Sequence, residues 1–306
     1  MRADVVVVTY RGRDLLASCL DHLTAQAGDH RLIVVDNASG DGTVELVRTR
    51  YPQVTLVALE RNVGFGAGVN AGAAVGDNEA IVLVNNDLDV DAGFLDALLE
   101  PLRDDERTGM VAALSLMPGR ERVDAFGVQL DAALCTYNRL RHGRPDDEPG
   151  LLAGPSGGAA AYRRTAFEQV GGFDERLFAY GEDTDLLLRM RSAGWRAAAA
   201  PAARGVHLGG ASFGVDSPAQ QWLGGFARGF LLRRWGVLRR RGAARALLVE
   251  ALVVGFGLVG RRTTAPLRAR VAGWRAAGRG SRPLPPGVVD EAIGPLETIR
   301  RLRSMR

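Results

Sequence analysis

VVVVTYRGRDLLASCLDHL, residues 5 to 23, decides the fold. Four valines in a row, Val5 to Val8, make a buried strand, Thr9 to Gly12 turn the chain, and Leu15, Leu16, Cys19, Leu20 and Leu23 recur at helical spacing. The strand-then-helix unit repeats. Residues 32 to 35 read as a strand, 41 to 50 as a helix, 54 to 58 as a strand, 65 to 75 as a small-residue helix and 80 to 84 as another buried strand. Such alternation predicts an α/β fold, a Rossmann-like, mainly parallel sheet flanked by helices, whose ligands bind beyond the carboxyl ends of the strands. From about 109 to 150 the pattern loosens: 111 to 114, 123 to 126 and 134 to 140 read as strands and 144 to 150 as an exposed loop. Helices are expected at 163 to 170 and 182 to 193. Beyond Asp216 the composition shifts to Arg, Leu, Ala and Gly. We therefore expect a body of 1–215, with halves of about 1–110 and 111–215, and a helical region of 216–306.

Composition narrows the function. At 306 residues and 46% hydrophobic content the chain can bury a full core and is not disordered. All 39 basic residues are arginine, which excludes mechanisms that need a catalytic lysine, P-loop NTPases and Schiff-base enzymes among them. The net charge of +4 hides an asymmetry: residues 1 to 227 hold 21 Arg against 31 acids, residues 228 to 306 hold 18 Arg against 4 acids. A basic region on an acidic body suggests an anionic partner for the former. Cys19 and Cys135 have neither pairing motif nor metal-ligand spacing and read as reduced, buried thiols. The apolar run at the N-terminus is too short for a signal peptide, so a cytoplasmic location is expected.

Four stretches carry candidate chemistry. In GGFDERLFAYGEDTDLLLRMRSAGW, residues 171 to 195, Glu182, Asp183 and Asp185 open an amphipathic helix after an aromatic, glycine-rich approach. Acids there either complement the helix dipole or serve a cleft, and a carboxylate at the rim of an apolar cleft can take a proton from a hydroxyl, the role assigned to Asp183. LIVVDNASGDGT ends a strand in Asp36 and Asn37, which either read a nucleobase or ribose or only build a turn. In NNDLD, residues 85 to 89, Asn85, Asp87 and Asp89 alternate; in an extended segment they would share one face, offering hard oxygen ligands to Mg²⁺ or Mn²⁺ on a diphosphate. RNVGFGAGVNAG, residues 61 to 72, has the wrong glycine spacing for a dinucleotide fingerprint but permits close backbone approach to a phosphate or sugar. His207, in VHLGGAS, follows an expected strand and is either structural or a metal ligand.

Taken together, over roughly residues 3 to 215, these segments resemble the family 2 glycosyltransferases of the GT-A fold, in particular a bacterial rhamnosyltransferase-like branch. The resemblance implies an inverting, metal-dependent transfer of a sugar from a nucleotide-diphosphate donor, with dTDP-rhamnose the expected donor, to a hydroxyl of a glycan or polyprenyl-linked acceptor in cell-surface polysaccharide synthesis. It implies donor contacts from Thr9, Tyr10, Asp36, Asn37, Arg61, Asn62, Gly66, Asn70 and Asn86. NNDLD stands in the place of the DxD motif, with Asn85 in the position of its first Asp, so Asp87, Asn85, Asp89 and His207 become the implied metal set. Asp183 becomes the implied base, and Gly157, Gly158, Glu182 and Asp185 the acceptor side. Alternatives are a degenerate transferase kept as a sugar-nucleotide-binding or scaffold subunit, or a glycosyltransferase for small natural products. A nucleotidyltransferase is disfavoured by the absence of lysine.

In the C-terminal region, residues 228 to 245 place Phe230, Leu231, Trp235 and Leu238 among arginines, and 246 to 260 form an apolar stretch broken only by Glu250, between Arg245 and Arg261. It is short for a spanning helix, which needs about 20 apolar residues. An interfacial helix at the inner face of the cell membrane, a hairpin packed on the body, or a core helix beside a solvated basic face are the readings, with an anionic surface the expected partner of 228–282. No recognition motif accompanies the arginines, so nucleic acid is not expected.

Overall fold

The computed structural model describes residues 1–209, 217–240, 242–260 and 262–304. The body opens with β1 (Ala3–Thr9), α1 (Arg13–Thr24), β2 (His30–Asp36), α2 (Thr43–Arg50), β3 (Thr55–Ala58), α3 (Phe65–Ala74) and β4 (Ala80–Val84). It continues through β5 (Leu88–Val90), α4 (Phe94–Asp104), β6 (Thr108–Leu116), β7 (Val123–Ala125), β8 (Val128–Leu130), β9 (Thr136–Asn138), β10 (Ala159–Arg163), α5 (Arg164–Gln169), α6 (Glu182–Ser192) and β11 (Arg196–His207). The C-terminal region contributes α7 (Pro218–Arg234), α8 (Ala243–Gly255), α9 (Ala265–Ala276) and α10 (Pro295–Ser304).

Among the described residues, one sheet runs in the order β3-β2-β1-β4-β10-β6-β11-β5, with β7 attached to β6. The pairs β1–β2, β2–β3 and β1–β4 are parallel, as the repeating units predict, and β6–β11 beyond them is parallel too. Strand β10 is inserted antiparallel between β4 and β6, with Ala160 opposite both Leu83 and Ala112. Because side chains alternate across a strand, β1 feeds two cores: Val6, with Ile33, Val35, Ile81 and Leu83, faces one helical layer, while Val5 and Val7, with Leu32, Val34 and Val82, face the other. The second layer holds α1 and α4 through Leu16, Leu20, Phe94 and Leu98. The first holds α3, α6 and the C-terminal helices.

Small residues let α3 lie directly on the sheet. A Cβ at Gly72 would stand 2.5 Å from Val6 Cγ1 and 2.9 Å from Val35 Cγ2. The glycines of RNVGFGAGVNAG are thus mostly spent on protein packing, not on a phosphate: Gly66 is buried against the Phe173 side chain.

Two expectations need correction. The strand expected at 134 to 140 shrinks to β9, because Leu134 and Leu140 both take positive φ, 57° and 60°, and turn the chain at each end. In the basic segment, Phe230, Leu231 and Trp235 are buried, in part beside Leu186, Leu187 and Met190 of α6, so they are core residues and not surface anchors. Three of its seven arginines are paired internally: Arg228 with Glu250 at 2.7 Å, Arg234 with Asp174 at 2.6 Å, and Arg245 with Asp131 at 3.1 Å. The boundary expected at 215, and Arg261, lie outside the described residues.

Candidate active site

A cleft of about 650 Å³ opens at the carboxyl ends of β1, β2 and β4. Its walls come from Val8 and Tyr10 after β1, Asn37 after β2, Asn62, Gly64 and Phe65 at the start of α3, the turn 85–87 after β4, and Phe178 to Tyr180 and Glu182 before and within α6. Asp124, Arg141, His207, Gly209 and Gln220 complete it.

The loop after β2 is built by amide side chains. Asn37 Nδ2 donates to Gly64 O at 3.0 Å and its Oδ1 accepts from Val63 N at 2.8 Å, while Asn62 Oδ1 accepts from Gly64 N at 2.9 Å. Gly64 is required: its φ is +91°, and a Cβ would stand 2.3 Å from Phe178 O, which accepts from Phe65 N at 2.8 Å. Across the cleft, Asn86 Nδ2 donates to Thr9 Oγ1 at 2.9 Å, fixing the 85–87 turn to the end of β1. Tyr10 lies half-buried with the Arg11 guanidinium 5.2 Å from its ring centroid.

The antiparallel β5–β11 register, with His207 opposite Leu88, brings the imidazole beside Asp87. His207 Nε2 lies 3.1 Å from Asp87 Oδ1, and Nδ1 lies 2.9 Å from Asp124 Oδ2 on β7. Hydrogen bonds to Asp124 and Asp87 push the imidazole pKa up to about 10 against the cost of burial. Burial raises the pKa of the Asp124 carboxyl, but the bond and charge of His207 outweigh it, so the net effect is a lowering. Among the described residues no group of three or more His, Cys, Asp or Glu is arranged to hold a metal ion by itself. The donor chemistry nonetheless fits a cation shared with substrate phosphates: a carboxylate and an imidazole nitrogen face each other at 3.1 Å, roughly the spacing of neighbouring ligands on one small cation, and Asp124 backs the far nitrogen as carboxylates back metal-bound histidines. Nε2 must then give up its proton.

Asp183 is half-buried beside the cleft. Its Oδ1 accepts from Thr184 N at 2.6 Å and its Oδ2 from Gly157 N at 3.3 Å. Burial raises its pKa despite those bonds. Glu182 lines the cleft, and burial together with the charge of Asp183 pushes its pKa up to about 8. Gly158 O accepts from Asn85 N at 2.9 Å, so the 157–158 turn touches both Asp183 and the 85–87 turn.

The structure therefore gathers Tyr10, Asn37, Asn62, Asn85, Asn86, Asp87, Glu182 and His207 around one cleft, with Thr9, Gly157, Gly158 and Asp183 against it. Other expected site residues face elsewhere. Asp36 is buried and closes the turn onto Ser39 N at 3.3 Å, and Arg61 is exposed away from the lining. Asp89 does not share a face with Asp87, because Asn85 to Asp87 form a turn and not an extended run; it accepts from Ser18 Oγ at 2.9 Å on α1. Asn70 clamps Phe173 through both its N and O at 2.9 Å. Asp185 is wholly buried, bound to Arg189 at 2.7 Å, Arg234 at 2.9 Å and the Trp235 indole at 3.2 Å, so it ties α6 to α7 and cannot touch an acceptor. Tyr180 lies in the aromatic, glycine-rich approach expected to line a cleft, whereas sequence reasoning missed Asp124, Arg141 and Gln220. They arrive from short or irregular segments and a distant helix, with no motif to announce them.

A mainly parallel sheet with an asparagine- and aspartate-lined cleft at its carboxyl ends, closed by a helix that starts in Glu-Asp, defines a glycosyltransferase of the GT-A fold. The chain belongs to glycosyl transferase family 2, whose model matches residues 4–171; the model of glycosyl transferase family group 2 matches 91–269. It is 33% identical over 241 residues, 69% of this chain and 78% of the relative, to the N-acetylglucosaminyl-diphospho-decaprenol L-rhamnosyltransferase of Mycobacterium tuberculosis. Its fold is similar to that of the mannosyltransferase PcManGT of Pyrobaculum calidifontis, solved with GDP-Man and Mn²⁺, with a TM-score of 0.56 at 20% identity over 91% of this chain and 76% of that one. GalNAc-T7, solved with UDP, GalNAc and Mn²⁺, gives a TM-score of 0.62 at 15% identity over 89% and 54% of the two chains. No described helix is long and apolar enough to cross a membrane.

Proposed function

We propose that the chain transfers a sugar, with inversion, from a nucleoside-diphosphate donor to a hydroxyl of a lipid-linked saccharide, and that dTDP-rhamnose is the donor. The observation that carries the mechanism is Asp183: a carboxylate oriented by two backbone N–H groups, raised in basicity by burial, beside a cleft that Asp87, Glu182 and His207 line. The acceptor oxygen attacks the anomeric carbon as its proton passes to Asp183 Oδ, and the bond from that carbon to the diphosphate oxygen breaks. Glu182, with its pKa near 8, stays protonated at neutral pH and hydrogen-bonds a sugar hydroxyl. Tyr10, Asn37 and Asn62 form the donor wall. Asp87 and His207 would hold Mg²⁺ or Mn²⁺, which when bound supplies positive charge to the departing diphosphate. Asp124 holds the imidazole in register for that task.

The acceptor class follows from the mycobacterial relative, named for a diphospho-decaprenol-linked N-acetylglucosamine. With such an acceptor, and a nucleotide-sugar donor, the enzyme on this reading works at the inner face of the membrane as a peripheral protein. The test pairs binding with turnover. A thermal-shift screen of dTDP-, UDP- and GDP-sugars with Mn²⁺ should single out dTDP-rhamnose. Asp183→Asn should keep that shift and lose transfer to N-acetylglucosaminyl-diphospho-decaprenol by about a hundredfold or more. Transfer that survives the substitution removes Asp183 as the base.

A further inference from the structure

Helix α8 is amphipathic in the wrong sense. Its one acidic residue, Glu250, points inward and is held by Arg228 at 2.7 Å and by Arg270, while Ala246 and Val249 pack on the core. The opposite face carries only apolar side chains at helical spacing: Ala244, Leu247, Leu248, Ala251 and Leu252, with Leu247 55%, Leu248 48% and Leu252 47% exposed. The stripe continues into the following turn, where Val259 is 83% exposed, and is joined by Leu267 and Val271 of α9. Water is a poor environment for such a face. Around it the exposed charges of the described hairpin are all positive: Arg262, Arg268 and Arg275.

We propose that this hairpin face, residues 244–259 with Leu267 and Val271, docks on an anionic lipid bilayer, the leucines entering the acyl boundary and the three arginines meeting headgroups. Charge decides the occupant. A second copy laid on the same face would satisfy the leucines but bring the arginine rims, on a region with 18 Arg against 4 acids, against each other. An anionic bilayer satisfies both. The face also replaces the basic segment 228 to 245 as the surface element, since that segment's aromatics and several of its arginines are committed inside. The assignment deepens the reading of a lipid-linked acceptor and rests on it only for its purpose: α7 reaches from Gln220 in the cleft to α9, so a docked hairpin holds the cleft at the surface that carries the acceptor.

The full chain should float with phosphatidylglycerol-containing vesicles and remain unbound with pure phosphatidylcholine ones. Leu248→Ser with Leu252→Ser should lower the bound fraction about tenfold or more, from the apolar area withdrawn. Its melting temperature and its thermal shift with dTDP-rhamnose and Mn²⁺ should match those of the parent. Parent protein that ignores anionic vesicles, or a double variant that floats as well as the parent, overturns the assignment. So does a parent dimer in sedimentation that the two serines dissolve, which would make the face a contact between copies. Vesicle binding without any nucleotide-sugar shift would leave the face standing and remove the donor reading instead.

Discussion

Glu182 Oε2 is buried without a hydrogen-bond partner among the described residues, and that single atom has a measurable consequence. A carboxyl whose pKa rises from 4.5 unfolded to about 8 folded holds a proton in the native state that the unfolded chain has released. Between those values the native state binds more protons, so stability contributed at this position falls as pH rises and levels off above about 8. Glu182→Gln, which cannot ionise, escapes that loss. Its melting temperature relative to the parent should climb from pH 5 to pH 8 and then stay constant; a flat difference across that range would mean the carboxylate is already charged and satisfied. Asp185, three residues on, differs in its surroundings: Arg189, Arg234 and the Trp235 indole all contact its carboxylate.

At the scale of elements, glycine tests helix-on-sheet packing. Alanine gains roughly 0.5–1 kcal/mol over glycine inside a helix, whereas overpacking costs about 1–3 kcal/mol. At Gly72 of α3 a Cβ would stand 2.5 Å from Val6 Cγ1, so the clash wins; at Gly224 of α7 a Cβ meets nothing within 4 Å, so the propensity wins. Urea denaturation should therefore show Gly72→Ala destabilised and Gly224→Ala stabilised by up to about 1 kcal/mol. Stabilisation of both would mean that α3 stands off the sheet.

The same contrast explains what could be read from sequence. The βα units were legible because β-branched runs and leucine spacing state their own period. Strand β10, Ala159–Arg163, was not, because alanines carry no β preference and its antiparallel place depends on β4 and β6. In the site, Asp87, Glu182, Asp183 and His207 were legible from motifs. Asp89, Asn70, Gly66 and Asp185 sit in those same motifs but turn toward α1, the 173 loop and α7. Which way a polar side chain faces is settled by the element packed against it, and Asp124 reaches the cleft only through a three-residue strand with no motif of its own.

Across the whole molecule, the C-terminal helices complete the core that the sheet begins. Trp235, Leu231, Ala246 and Val249 belong to the same buried cluster as Leu186, Leu187 and Met190, and Arg234 and Arg245 neutralise the buried Asp185 and Asp131. Removing residues 217–306 strips this layer, exposes the apolar face of α6 that it covers and takes Arg234 from Asp185 and Arg245 from Asp131, against the roughly 5–15 kcal/mol that holds a typical domain. A 1–216 fragment should be recovered aggregated or with exposed apolar surface that binds a hydrophobic dye. A monomeric fragment with native near-ultraviolet circular dichroism would refute this. The place of β10 in the sheet has a consequence for synthesis on the ribosome. Strand β4, apolar throughout, leaves the exit tunnel with β1 on one edge, while its other edge waits for a strand encoded well beyond β6. Until that strand emerges, the nascent chain has an apolar strand with one edge unpaired, the kind of edge that invites pairing with another chain, so slower translation between residues 84 and 163 is expected to lower the yield of native protein.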